Sequence, residues 1–149
     1  MAVTAFWYGA GITGLVSTTT ARRVNWTGDT IKVSLHTVTY TPNQDTHDFY
    51  DDVTNEVSSS GYTAGGATLT TKTANYTSGT NTVALDADDV TWTGVTFTCR
   101  YAVIYSTAGG TSATNPLLGY VDFGADQTVS SGNFTITWAS DGVLKLVAA

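Results

Sequence analysis

Five carboxylates, Asp45, Asp48, Asp51, Asp52 and Glu56, crowd into residues 40–66 beside His47 and the aromatics Phe49 and Tyr50. Such a cluster could chelate calcium, which takes six to eight oxygens around one point. The spacing lacks the alternating D-x-D-x-D-G order of a calcium loop and favours a solvated acidic face. Asp86, Asp88 and Asp89 form a second group, read as a polar loop between strands. His36 and His47 could hold a metal or move protons. They fall on different elements, with no Cys or Glu at ligand spacing beside them. His36 is expected to be exposed on the polar face of its strand, and His47 to hydrogen-bond within its loop. No G-x-S-x-G elbow occurs, and Cys99 stands in a core-facing pattern where a thiol is a poor nucleophile. Paired aspartates can hydrolyse a glycoside only in a cleft that raises one carboxyl pKa. No such cleft is legible, so no enzyme, cofactor or metal is expected.

The aromatics offer a different chemistry. Trp7, Trp26, Trp92, Trp138 and eight tyrosines could stack sugar rings, as a carbohydrate-binding module does. Trp138 fits a core position. Trp26 and Trp92 stand next to predicted turns, where an indole more often plugs the end of a sandwich. Sugar binding requires one of those two in an exposed concave patch; a structural role requires both to be buried.

Strands must position these side chains. Residues 29–40, DTIKVSLHTVTY, alternate: Ile31, Val33 and Leu35 face one way, Lys32, Ser34 and His36 the other. That is a half-buried strand. Farther on, Val95, Phe97, Cys99, Tyr101, Val103 and Tyr105 share one face of a central strand, with Thr96, Thr98, Arg100, Ala102 and Ile104 on the other. More strands are expected over 67–76, 81–86 and 116–124. The last hairpin is expected to join 134–138 to 143–147 through the Asp141-Gly142 turn. Thr46 is expected to cap a short helix carrying Phe49, Tyr50 and Val53, with Asp48 in its first turn. Residues 2–16 are apolar but contain Gly9, Gly11 and Gly14, each costing about 1 kcal/mol in a helix. An irregular strand, a short helix and an arm packed on a neighbour all fit. Seven or eight strands at this spacing predict an all-β antiparallel β-sandwich, immunoglobulin-like or jelly-roll-like, with at most one or two short helices. A single domain over 1–149 is expected.

Charged residues make up 12% of the 149, about half the usual share, and the net charge is −6. Threonine supplies about a fifth of the chain, and its β-branched side chain suits a strand with a polar face. Either Thr, Ser, Asn and Gly cover the surface, or part of it is hidden in an assembly. The acidic balance repels phosphate backbones and anionic membranes, so neither nucleic acid nor membrane is expected as a partner. The apolar start lacks a basic n-region and is too short to span a bilayer. One cysteine cannot form an internal disulfide. A cytoplasm is the expected place of synthesis and folding.

Four runs carry a resemblance: AFWYG, WTGDTIKVSLHTVTYTPNQDTHDFYDDVTNEVSSSGYTAGGATL, DADDVTWTGVTFTCRYAVIYS and PLLGYVDFGADQTVSSGNFTITW. Over nearly its full length the chain resembles small all-β structural proteins of tailed double-stranded DNA bacteriophages. The GAGITG start departs from the helix-like run expected there. The resemblance implies a virion component without catalytic residues, most of all a capsid decoration or minor capsid protein. Such a protein, made in the host cytoplasm, binds the outer face of the major capsid protein shell, often as a homotrimer. The alternative is a tail- or head-fibre module binding a host-surface glycan or receptor. Expected assembly contacts are residues 2–16, through Phe6, Trp7 and Tyr8, and residues 45–56, through Asp45, Asp48, Phe49, Tyr50, Asp51, Asp52 and Glu56.

Overall fold

The computed structural model describes residues 3–19 and 21–148; Ala2 of the expected arm lies outside them, as does Thr20 in the connector that follows. Among the described residues eight strands form two antiparallel sheets. The larger has the order β1 (Thr4–Trp7), β7 (Leu117–Ile136), β6 (Val90–Ser106), β2 (Ile31–His36), β3 (Ala67–Thr68). The smaller has the order β4 (Thr73–Thr77), β5 (Thr82–Asp86), β8 (Leu144–Val147). The expected all-β sandwich of about eight strands is the observed architecture. Between the sheets lies the main core, which includes Trp26, Ile31, Val33, Leu35, Trp92, Val95, Ile104 and Leu144.

Strands β6 and β7 form a long ribbon whose pairing shifts register at several points, one of them between Cys99 and Tyr101. A bulge inserts an extra residue and turns the following side chains over. Cys99, Ala102 and Ile104 therefore enter the main core. Val103 and Tyr105 enter a second, outer cluster, with Tyr101 packed against it. The single face expected for 95–105 is thus split. The sheet is buried on both sides here, as the unbroken apolar run Ala102–Val103–Ile104–Tyr105 requires.

The start of the chain is both strand and helix. β1 pairs with β7, setting Phe6 opposite Tyr120 and Trp7 opposite Gly119. α1 (Gly9–Val16) follows despite its glycines. A Cβ on Gly11 would stand 2.2 Å from the Leu118 carbonyl oxygen, and one on Gly14 2.5 Å from that of Arg22. Close packing, rather than helix propensity, selects those two residues.

Three other expectations change. Residues 67–76 are not one strand: β3 belongs to the large sheet and β4 to the small one. The chain crosses between them where Leu69 is buried and Thr71 adopts a φ of 51°. The last hairpin keeps only its turn, in which Gly142 N donates to Ala139 O at 2.9 Å. Its flanks separate, Phe134 remaining in β7 opposite Trp92 and Leu144 pairing with Leu85 of β5. The helix after Thr46 is reduced to one 3-10 turn, Tyr50–Asp52. Asn43, not Thr46, caps the local turn, its Oδ1 accepting from the N–H groups of Asp45 and Thr46.

Candidate functional site

Residues 37–56 lie across the outer face of the large sheet. They cover a cluster of Tyr8, Tyr40, Val103, Tyr105, Leu117 and Tyr120, against which Phe6, Tyr50, Val53 and Tyr101 pack. That cover corrects the expectation for His36, which is 1% exposed. Alternation along β2 marks two faces, but a long-range loop decides whether the polar one meets water.

Most of the loop's polar groups are engaged internally. Asp48 pairs with Arg22, whose guanidinium also sits 4.9 Å over the Phe49 ring. Asp52 Oδ2 accepts from the backbone N–H groups of Asp48 at 2.9 Å and Phe49 at 3.4 Å. Glu56 Oε1 accepts from Tyr62 Oη and from Gly65 N, both at 2.7 Å. His47 Nδ1 meets Tyr40 Oη at 3.0 Å, within the loop as expected. Tyr50 stacks on Tyr105 with ring centroids 3.9 Å apart. Its hydroxyl is buried without a hydrogen bond of good geometry, facing Ser34 and Tyr105. Asp45 and Asp51 remain exposed. No group of three or more His, Cys, Asp or Glu among the described residues stands close enough to hold a metal ion.

Burial sets the titration of the groups beneath. It drives Tyr8, Tyr50 and Tyr62 far above the ordinary phenol range, and Tyr40 and Tyr105 to about 12. It pulls His36 down to about 4, against a smaller upward pull from the Thr54 carbonyl. Cys99 is buried and free, and burial pushes its thiol up to about 12, so it is no nucleophile at neutral pH.

Phe6, Trp7 and Tyr8 behave differently from one another. Tyr8 is 0% exposed, its hydroxyl 2.7 Å from that of Tyr40, so it cannot touch another chain. Phe6 is half-buried and stacks on Tyr120 at 5.1 Å. Trp7 is half-buried, and its Nε1 donates to the Lys145 carbonyl at 2.8 Å. That bond ties the edge of one sheet to the edge of the other.

Around it opens an apolar groove of about 580 Å³, lined by Trp7, Val121, Phe123, Ile136, Trp138 and Leu144 and rimmed by Val3, Asp141 and Lys145. Among the described residues β1 pairs on one side only. Tyr8 N donates to Leu118 O, so in the alternating antiparallel ladder Ala5 directs its N–H and C=O away from β7. Trp138 is half-buried, packs against the main core as expected and also lines this groove. Its indole N–H donates to Asp88 O at 3.0 Å. Its place beside the Asp141-Gly142 turn was the one available sequence signal. Trp26 and Trp92 are 4% and 6% exposed. Trp26 Nε1 donates to Thr73 O, and Trp92 packs against Tyr62 and Phe134. Neither can stack a sugar.

No protein-family profile, curated protein or solved structure matches this chain.

Proposed function

We propose that the chain is a non-enzymatic virion structural protein of a tailed bacteriophage, a decoration or minor capsid protein that binds the outer face of the major capsid shell. The resemblance of its four sequence runs supports this reading. The structural observation that carries it is the apolar groove beside the open edge of β1. An open edge offers unpaired backbone donors and acceptors to an extended segment of another chain, and the groove receives that segment's alternate side chains. Phe6 and Trp7 stand at this edge, so the expected contact through the start of the chain is retained without Tyr8. The acidic loop contributes Asp45 and Asp51 as its free charges. Self-association as a trimer on the shell belongs to the same reading. The fibre-module alternative loses Trp26 and Trp92, the indoles that it required in the open.

Cosedimentation with shells stripped of this protein tests the reading. Wild-type chain is expected to rebind, and Ala5→Lys, a change at an exposed position on the groove's rim, is expected to abolish rebinding with the melting temperature unchanged. Failure of the wild type to rebind, or full rebinding by Ala5→Lys, contradicts it.

A further inference from the structure

The cover is held on the large sheet by the Tyr50 N–Asn115 O and Leu117 N–Asp48 O bonds, each 3.0 Å, and by one buried histidine. His36 Nδ1 lies 2.8 Å from the Thr54 carbonyl, which can only accept, so Nδ1 carries the hydrogen. Nε2, 2.8 Å from Ser34 Oγ, must then accept from that hydroxyl. In the neutral imidazole Nδ1 is thus satisfied as a donor and Nε2 as an acceptor. Around the ring stand Tyr40 at 5.4 Å and Tyr50 at 6.5 Å between centroids, with Tyr101 opposite in β6. Glu56 stands opposite His36 in a backbone bridge and Asp52 lies in the same loop; Glu56 Oε1 serves Gly65 N–H and Tyr62 Oη, and Asp52 Oδ2 the Asp48 and Phe49 N–H groups. Lys32 shares the strand face, and Tyr105 stands opposite it. Among the described residues no carboxylate hydrogen-bonds the imidazole.

We propose that residues 37–56 form an acid-released cover, with His36 as the latch that holds it on the sheet. A proton added at Nε2 turns that nitrogen from acceptor to donor. Ser34 Oγ must then accept, and its own hydrogen loses the imidazole as its partner. The new positive charge sits in a site that is 1% exposed, its ring nitrogens facing a hydroxyl and a carbonyl rather than a carboxylate. Burial already disfavours that charge, holding the group at about 4. Lifting the loop hydrates the imidazolium and uncovers the aromatic face of Tyr8, Tyr105, Leu117 and Tyr120. The latch acts independently of what the groove binds.

Hydrogen exchange read by mass spectrometry, on the full chain at pH 7.5 and 4.5 with intrinsic rates corrected, tests this. Amides in 37–56, and Leu117 N–H, which donates to Asp48 O, are expected to lose protection by about a hundredfold, while those of β6 and of the rest of β7 keep theirs. His36→Gln is expected to remove the loss, and His47→Gln to retain it. Unchanged protection in 37–56 overturns the proposal, as does a loss shared with β6 and the rest of β7 or one that survives His36→Gln. Should His36→Gln fail to fold, the wild-type imidazole resonances decide. A His36 signal that titrates in step with loop opening supports the latch. Titration in the ordinary imidazole range, or opening without a change in that signal, overturns it.

Discussion

His36, held between Ser34 Oγ and the Thr54 carbonyl, stays neutral in the folded chain down to about pH 4, whereas an unfolded imidazole takes its proton near 6.5. Between those values the unfolded state binds more protons, so stability falls as pH falls. The contribution is complete above about 6.5 and exhausted below about 4, and amounts to roughly 3 kcal/mol. Urea denaturation at pH 7.5 and 4.5 should therefore show a loss in wild type that exceeds the loss in His36→Gln by about that amount. Equal losses would remove the buried neutral histidine from the explanation. Tyr50 poses the opposite case, a hydroxyl placed in the interior without a good partner. Tyr50→Phe keeps the stacking on Tyr105 and removes a group whose desolvation costs about 1 kcal/mol or more. The variant is expected to melt at or above the wild-type temperature; a clear fall would mean that Ser34 holds this hydroxyl. Cys99 should resist a thiol reagent at pH 8 until denaturant exposes it, because its thiol is buried and raised to about 12.

Among the elements, α1 depends on proximity more than on propensity. Gly11→Ala would gain about 1 kcal/mol in an isolated helix. Here the new methyl meets the Leu118 carbonyl at 2.2 Å, and backbone must move. Overpacking of this kind costs about 1–3 kcal/mol, so the net effect should be destabilising by calorimetry. A stabilised variant would show that α1 is not packed on β7 in this way. The sequence carried the alternation of β2, the strand over 82–86 and the Asp141-Gly142 turn, because each depends on residues close in the chain. It did not carry the bulge at Cys99–Tyr101, since one inserted residue leaves an apolar run reading as before. Nor did it carry the fate of residues 37–56. Asp48, Asp52 and Glu56 look like free charge in the sequence, and only the folded chain brings Arg22, the loop amides and Tyr62 to them. Trp138 reaches the groove as well as the core for a related reason. The strands on either side of its turn join different sheets, and the gap between the sheet edges is the groove.

For the whole molecule, the accessible surface of 7376 Å² is close to the roughly 7,250 Å² typical of a folded monomer of 15.6 kDa. The chain folds without leaving a long arm in solvent, and β1 and α1 pack on their own sheet. Docking through the groove, as proposed, would bury apolar surface and edge hydrogen bonds rather than ion pairs. Rebinding to stripped shells should accordingly change little between 0.05 and about 0.5 M salt, a range in which attraction between exposed charges is largely screened. A steep loss with salt would shift the contact to Asp45 and Asp51. Cryo-electron microscopy of the intact particle decides the matter. Density for the two-sheet fold is expected on the outer face of the head, with the Trp7–Trp138 groove closed by another chain. Density on the tail, or on the head with that groove open to solvent, would contradict the proposed role.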